Sequence, residues 1–324
     1  MHPGPSSPTN HGDQQQTASA ALTAEPPSSV GDTHRLTGLS YVGLAVLLFS
    51  TSPVLVRFAA DVSPYEITFG RLLVAALAVG GAAIVWANDA WRTAEGPRSS
   101  SAFVARLAPF AVYGLIAALH FLLYIASLSY TTIAHSLALV YTAPVFVTLF
   151  AWLLLGEPLP GQKWLGIPVV VGGVALLAGF EPAFDRRMLF GDLLALGSAV
   201  CFGLYSVAGR QARKTYPLLT YAALVYGFAA LWCLPAAVLQ GTGRWTASAL
   251  VSVVALGLGP LALGHTLYNA SLRRTHPTYV NLVATQEVTG GILLGALVLG
   301  EVPQPGVLAG ILLTLIGVAV VLRG

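Results

Sequence analysis

A carboxylate stands at bilayer depth. Glu287 lies near the middle of the apolar run from Thr278 to Gly300, beside Gln286. A charge there is costly, and such residues usually face a bundle interior or a watery cavity and serve a pathway. Glu287 could carry a proton or bind the amino group of a solute. Its bland alternative is a structural carboxyl hydrogen-bonded to a neighbouring helix. Gln286 points about 100° away on an ideal helix, so the two need not share a surface. Arg71 lies inside another apolar run, where its planar fork could clamp a carboxylate bidentately. The reading preferred from sequence is structural, with Arg71 snorkelling outward or pairing with Glu66 or Asp61.

Other polar residues in the apolar runs could line the same space. Tyr124 and Tyr268 could frame a cavity, or stand as interface-belt tyrosines. Asn269 follows Tyr268 and could equally serve an interhelical hydrogen bond. His120 and His265 could relay protons, though hydrogen-bonded packing is preferred for both. Tyr141, Thr142 and His135 are weaker lining candidates.

The elements that must hold these groups are membrane helices. Of 324 residues, 56% are apolar and only 9% charged, against roughly 25% charged in an average soluble domain. Mean hydropathy is +0.75. So few charges could not cover a soluble surface, so the chain reads as an all-α polytopic membrane protein. Ten apolar segments are expected, at about 38–57, 66–87, 106–129, 133–155, 163–180, 189–209, 217–239, 248–271, 277–300 and 304–322. Long continuous runs favour helices over a β-barrel. Residues 1–36 are rich in Pro, Ser, Thr and Gln, and are expected to form a disordered tail.

Lysine and arginine set the orientation. With both termini in the cytoplasm, the inner loops hold Arg92, Arg98, Arg106, Lys163, Arg210, Arg213, Lys214, Arg273 and Arg274. The outer side receives Arg57, Arg186, Arg187 and Arg244. That bias predicts cytoplasmic termini and, for a bacterial chain, an inner-membrane location.

The chain repeats itself. Leu123–Leu128 (LYIASL) recurs as Leu267–Leu272 (LYNASL), Leu155-Gly156-Glu157 as Leu299-Gly300-Glu301, and Gly173-Val174-Ala175 as Gly317-Val318-Ala319, all at an offset of 144. This is an internal duplication, dividing the chain into residues 37–180 and 181–324. Five spans per copy is an odd number, so the second copy must enter from the opposite face. Secondary transporters commonly use such inverted repeats, with substrate near the midplane.

At these residues the chain resembles the EamA repeats of the drug/metabolite transporter superfamily, over nearly all of 38–322. The marks are the Leu-Gly-Glu ends at Glu157 and Glu301, each followed by a glycine-rich span. Pro144, before Glu157, matches a proline usual in that helix. Glu287 matches a glutamate that often precedes such a proline, but Val288 stands in the proline's place. The first span departs from the family's aromatic-glycine pattern, reading Phe49-Ser50-Thr51-Ser52-Pro53. The resemblance implies a ten-helix basket around a central cavity, lined by spans 1–4 and 6–9. It also implies export or exchange of small metabolites, often amino acids.

No motif points to catalysis. There is no Walker A loop, no His-Glu-x-x-His zinc pattern and no nucleophile elbow, so neither cofactor nor metal is expected, and no basic-aromatic stripe suggests nucleic acid. The expected partners are a small-molecule substrate, a coupling proton and the lipid bilayer. Gly291-x-x-x-Gly295 and Gly306-x-x-x-Gly310 read as close helix contacts within one chain, with a homodimer face as their other use. Two competing classes are a non-transporting receptor or assembly protein, which would leave Glu287 expendable, and a membrane-embedded lipid-handling enzyme, which would need a converging catalytic cluster.

Overall fold

With no water to satisfy them in a bilayer, the polar N–H and C=O groups of an apolar segment bond to one another as helix. The computed structural model describes residues 28–86, 100–156, 161–179, 185–212, 215–271, 274, 280 and 283–323, and among these every regular element is helical. The first half contains α1 (Ser28–Ser50), α2 (Ser52–Phe58), α3 (Pro64–Trp86), α4 (Ser100–Ser127), α5 (Ile133–Val140), α6 (Ala143–Leu155) and α7 (Gly161–Gly179). The second contains α8 (Arg186–Ala212), α9 (Leu218–Gln240), α10 (Ala247–Leu256), a π-helical stretch Gly257–Gly264, α11 (His265–Ser271), α12 (Gln286–Leu294), a second π-helical stretch Gly295–Leu299 and α13 (Pro305–Arg323).

Seven described helices are long and apolar enough to cross a membrane: Leu36–Phe58, Pro64–Trp86, Ala105–Ser127, Ile133–Leu155, Arg186–Gly209, Leu218–Gln240 and Ala247–Ser271. Shorter apolar helices occupy Leu165–Val174, Gln286–Leu299 and Pro305–Val320, where the other three expected spans fall. The expected tail is shortened, because α1 is helical from Ser28; residues 1–27 lie outside the described residues. So do Arg92, Arg98, Glu157, Arg213, Lys214 and Arg273.

The two halves pack by one rule. Helix α1 contacts α11 and α12, as α8 contacts α4 and α6; α3 packs on α9, and α7 on α13. The α7–α13 contact is reciprocal. A Cβ on Gly173 would strike the backbone of Thr314, and one on Gly317 the backbone of Val170. Val170 and Gly173 are the 144-residue equivalents of Thr314 and Gly317. The contacts descend along α13 as they ascend α7, so these equivalent helices run antiparallel. Mutual contact between equivalent positions is what a two-fold relation produces.

The repeated Leu-Gly-Glu has a backbone cause. Gly156 and Gly300 terminate their helices at φ 66° and 71°, the left-handed conformation that glycine adopts without a Cβ penalty. The Gly291/Gly295 pair seats side chains within the chain: Leu137 lies over Gly291 and Ile133 over Gly295. This brings α5 against α12, as the sequence reading preferred. Cys201 and Cys233 are both free thiols, half-buried and buried.

Candidate functional site: a charged cavity between the two halves

Helix breaks open the cavity. Pro53 has no N–H to give, so α1 and α2 part at Thr51, whose Oγ1 donates to the Leu48 carbonyl at 2.7 Å. This turns Phe49 and Ser52 toward the interior. Pro144 does the same between α5 and α6, exposing Tyr141 at the break. In the second copy the equivalent of Tyr141 is Thr285, and there too the helix is interrupted, with Val288 N–H donating to the Thr285 carbonyl at 3.1 Å. The break therefore survives Val288 in the proline's place. Pro260 lies within the first π-helical stretch and also reaches the cavity; such widened turns are frequent at functional sites.

The space thus enclosed is walled by Phe49, Ser52, Arg71, His120, Phe121 and Tyr124 on one side of the chain's order, and by Phe202, Pro260, His265, Tyr268, Thr285 and Glu287 on the other. Val140, Tyr141, Ala143, Pro144 and Ala284 complete it. The room open to the centres of water-sized molecules is about 90 Å³, several times what one water needs.

Seven of the eleven residues singled out from sequence line this one space: Arg71, His120, Tyr124, Tyr141, His265, Tyr268 and Glu287. Gln286, Asn269, His135 and Thr142 do not. Gln286 is exposed on a different face of α12, where Thr289 Oγ1 donates to its Oε1 at 3.4 Å; the 100° step per residue separates it from Glu287. Asn269 turns back along its own helix, Nδ2 donating to the His265 carbonyl at 2.7 Å, and it is absent from the cavity wall.

Arg71 departs from the reading preferred for it. It is only 2% exposed, and it makes no ion pair with Glu66 or Asp61 among the described residues. Glu66 is committed elsewhere: it accepts from the N–H groups of Ser63, Thr242 and Gly243 and from Trp245 Nε1, tying the start of α3 to the loop before α10. The Arg71 guanidinium instead lies 5.0 Å from the centre of the Phe121 ring, a cation–π arrangement. Its Nε and Nη1 are buried with no hydrogen-bond partner among the described residues. Glu287, on α12, accepts a hydrogen bond from the Tyr141 hydroxyl of the other half.

The histidines differ. His120 Nδ1 lies 2.9 Å from Ser198 Oγ, which also contacts the His120 carbonyl oxygen at 2.9 Å, so this ring is pinned to α8. His265 sits among rings, 4.8 Å from Phe49 and 5.7 Å from Phe121. His135 and Thr142, the weaker candidates, lie outside the wall. His135 is fully buried against Asp192, Nδ1 to Oδ2 3.0 Å, and Asp192 also accepts from Thr131 Oγ1 at 2.6 Å. Among the described residues no group of three metal-ligating side chains converges.

Sequence reasoning missed Ser52, Phe121, Phe202 and Thr285. Phe202 had a usable signal: the first spans of the two copies align at an offset of 153 rather than 144, Gly38 with Gly191, which places Phe49 over Phe202, and both line the cavity.

One end of the bundle carries a second polar cluster. Arg57 Nε donates to Glu301 Oε1 at 2.8 Å. Arg57 also donates to the carbonyls of Leu128 and Thr131, and Glu301 Oε2 accepts from the Ile133 N–H at 3.2 Å. The Leu-Gly-Glu end thus latches α2, the α4–α5 link and the end of the second π-helical stretch together.

Comparison with known proteins follows this architecture. The model of a family described as the EamA-like transporter family matches residues 36–179 and 189–323. An uncharacterized transporter of Archaeoglobus fulgidus is 26% identical over 205 residues, 62% of this chain and 66% of that protein. One of Clostridium kluyveri is 26% identical over 200 residues, 59% and 64% respectively. A Streptantibioticus cattleyicolor protein named "Probable terminal-alkyne amino-acid exporter" is 27% identical over 187 residues, 57% and 62%. The matches therefore span just under two thirds of those relatives' length. A crystal structure at 22% identity superposes with a TM-score of 0.60, covering 89% of this chain and 96% of that one, which speaks to the fold alone.

Proposed function

Because the chain belongs to the EamA-like transporter family, we propose that it is a secondary carrier exporting small metabolites, amino acids or their relatives foremost. Ten spans cross the membrane in this reading, as two inverted five-helix repeats, with both termini on the cytoplasmic side of a bacterial inner membrane. The two halves rock about a midplane site, exposing it to each face in turn. The observation that carries the reading is the cavity itself: both halves wall it, and a buried arginine and a buried glutamate face it together. Ionisable groups at that depth are retained for pathways. The antiparallel, reciprocal α7–α13 contact supports the inversion. The amino-acid class is supported by the printed name of one relative and by the charges in the wall. Glu287 binds substrate or a coupling proton, Tyr141 orients it, and Tyr124 and Tyr268 shape the space. The printed names of relatives, an uncharacterized transporter and a probable exporter, support transport over an enzyme.

The test is uptake of a labelled amino-acid mixture into proteoliposomes, with and without an imposed proton gradient. Uptake that responds to the gradient supports a proton-coupled carrier. Uptake indifferent to it leaves a carrier and removes the proton. No movement of amino acids or of a wider metabolite panel overturns the carrier reading.

A further inference from the structure

Two rooms share three of their walls. Ser52 of α2, Val140 of α5 and Glu287 of α12 line the central cavity. Arg57 of α2, Ile133 and Ala134 of α5 and Ile292 of α12 line a second recess, together with Glu301. The room in this recess open to the centres of water-sized molecules is about 290 Å³. Ser52 to Arg57 and Glu287 to Ile292 are steps of five residues, and Ile133 to Val140 is a step of seven. At the rise of an α-helix the two linings therefore stand only about 7–10 Å apart. Val56, Leu137 and Val288 occupy that interval, one from each helix, all buried in one apolar cluster. Leu137 is seated on Gly291, where an added Cβ would strike its Cδ1 and touch Pro53 at 3.4 Å. The partition between the rooms is thus about one layer of side chains, and the Arg57–Glu301 pair lies on its recess side.

Three polar ties join the halves at this end, and they differ in what parting would cost. Glu66, 8% exposed, accepts from the N–H groups of Thr242 and Gly243 and from Trp245 Nε1. Asp192 is as deeply buried and holds His135 and Thr131. Separating either would strand a carboxylate away from water, which is strongly unfavourable. Arg57 and Glu301 are each about a quarter exposed and face the recess, so water can take up both charges when they part. Arg57 would keep the Leu128 and Thr131 carbonyls of its own half. Only the contacts that cross between halves would break: Glu301 with Arg57, and Glu301 with the Ile133 N–H. The duplication also carries both residue types, with Arg210 aligned to Arg57 at the offset of 153 and Glu157 to Glu301 at 144. They belong to the repeat unit rather than to one loop.

We infer that the solute leaves the cavity through this partition, between α2, α5 and α12, and that the Arg57–Glu301 pair is the lock on that exit. This rests on the carrier reading above, which puts this end outside, and it specifies the route. Opening slides Leu137 off Gly291 and lets the recess and the cavity become one space. The Glu66 and Asp192 ties hold throughout, so the ends of α3 and α8 stay anchored while the lock opens between them.

The experiment reads access to the cavity from outside. The full chain carries Cys201→Ser and Cys233→Ser, which remove its two free thiols, and Ser52→Cys on the cavity wall. Right-side-out membrane vesicles receive a membrane-impermeant sulfonated maleimide, and the labelling rate is measured. Glu301→Gln and Arg57→Gln should each raise that rate by about 5- to 30-fold. The double variant should label no faster than the faster single one, because both remove the same contact. Leu137→Ala thins the partition and leaves the pair in place; it too should speed labelling, and it decides the matter if neither charge variant folds. Asp192→Asn loosens a neighbouring tie without touching the lock and should label at close to the parent rate. Unchanged labelling in all three partition variants, single effects that multiply in the double variant, or an equal rise in Asp192→Asn overturns the inference. Labelling requires no transport. Faster labelling in a protein that moves no solute would keep the gate and sink the carrier reading, whereas transport with unchanged labelling would do the reverse.

Discussion

Glu301→Gln should loosen one end of the bundle without dissolving it. The carboxylate does two things at once: Oε1 meets Arg57 Nε at 2.8 Å, and Oε2 accepts from the Ile133 N–H at 3.2 Å. Glutamine keeps one acceptor oxygen but loses the charge and one of the two acceptors. The side chains of the pair are 25% and 28% exposed. Their worth falls between the 0.2–1 kcal/mol of exposed pairs and the 3–5 kcal/mol lost when a buried pair is broken. A loss of about 1–2 kcal/mol follows, equal to roughly a 5- to 30-fold rise in the open population. Arg57 retains the carbonyls of Leu128 and Thr131, so the effect should stay local. Hydrogen–deuterium exchange in nanodiscs reads it directly, because the Ile133 amide is one of the groups Glu301 holds. Exchange across residues 131–135 should rise by that factor, while α9 stays as it was. Unchanged exchange at Ile133, or a rise spread evenly over every helix, would refute the latch.

Gly173→Leu and Gly317→Leu should each cost about 1–3 kcal/mol by forcing α7 and α13 apart, since the added atoms meet backbone rather than a flexible tip. Gly172→Leu, whose Cβ would meet nothing within 4 Å, is the control, and melting of the detergent-solubilised protein compares the three. Tyr141→Phe removes the hydroxyl that holds Glu287; substrate affinity should fall about tenfold or more, with little change in melting temperature. Asp192→Asn breaks the buried His135–Asp192–Thr131 cluster outside the cavity. It should destabilise by about 1–3 kcal/mol yet leave the substrate affinity of the folded protein unchanged.

What the sequence determined was whatever depends on composition, length and local chemistry. Few charges in long apolar runs dictate membrane helices. The 144-residue echo fixed the duplication, and its Leu-Gly-Glu is legible because a helix that must end in a left-handed residue asks for glycine. Glu287 stood out because a carboxylate in an apolar run is costly wherever the helix packs. What only the tertiary structure decided was direction and company. Arg71 looked at least as ready to pair with Glu66, five residues away, until the loop before α10 proved to hold Glu66 with its own N–H groups. Gln286 and Glu287 are neighbours in the chain, yet one is exposed and the other faces the cavity. The helix break at Thr285 persists without a proline, where α12 packs against α5 and α1. Sequence records which groups are expensive to bury; the assembled bundle decides which of them share a space, since that depends on helix rotation and on contacts between residues more than a hundred positions apart.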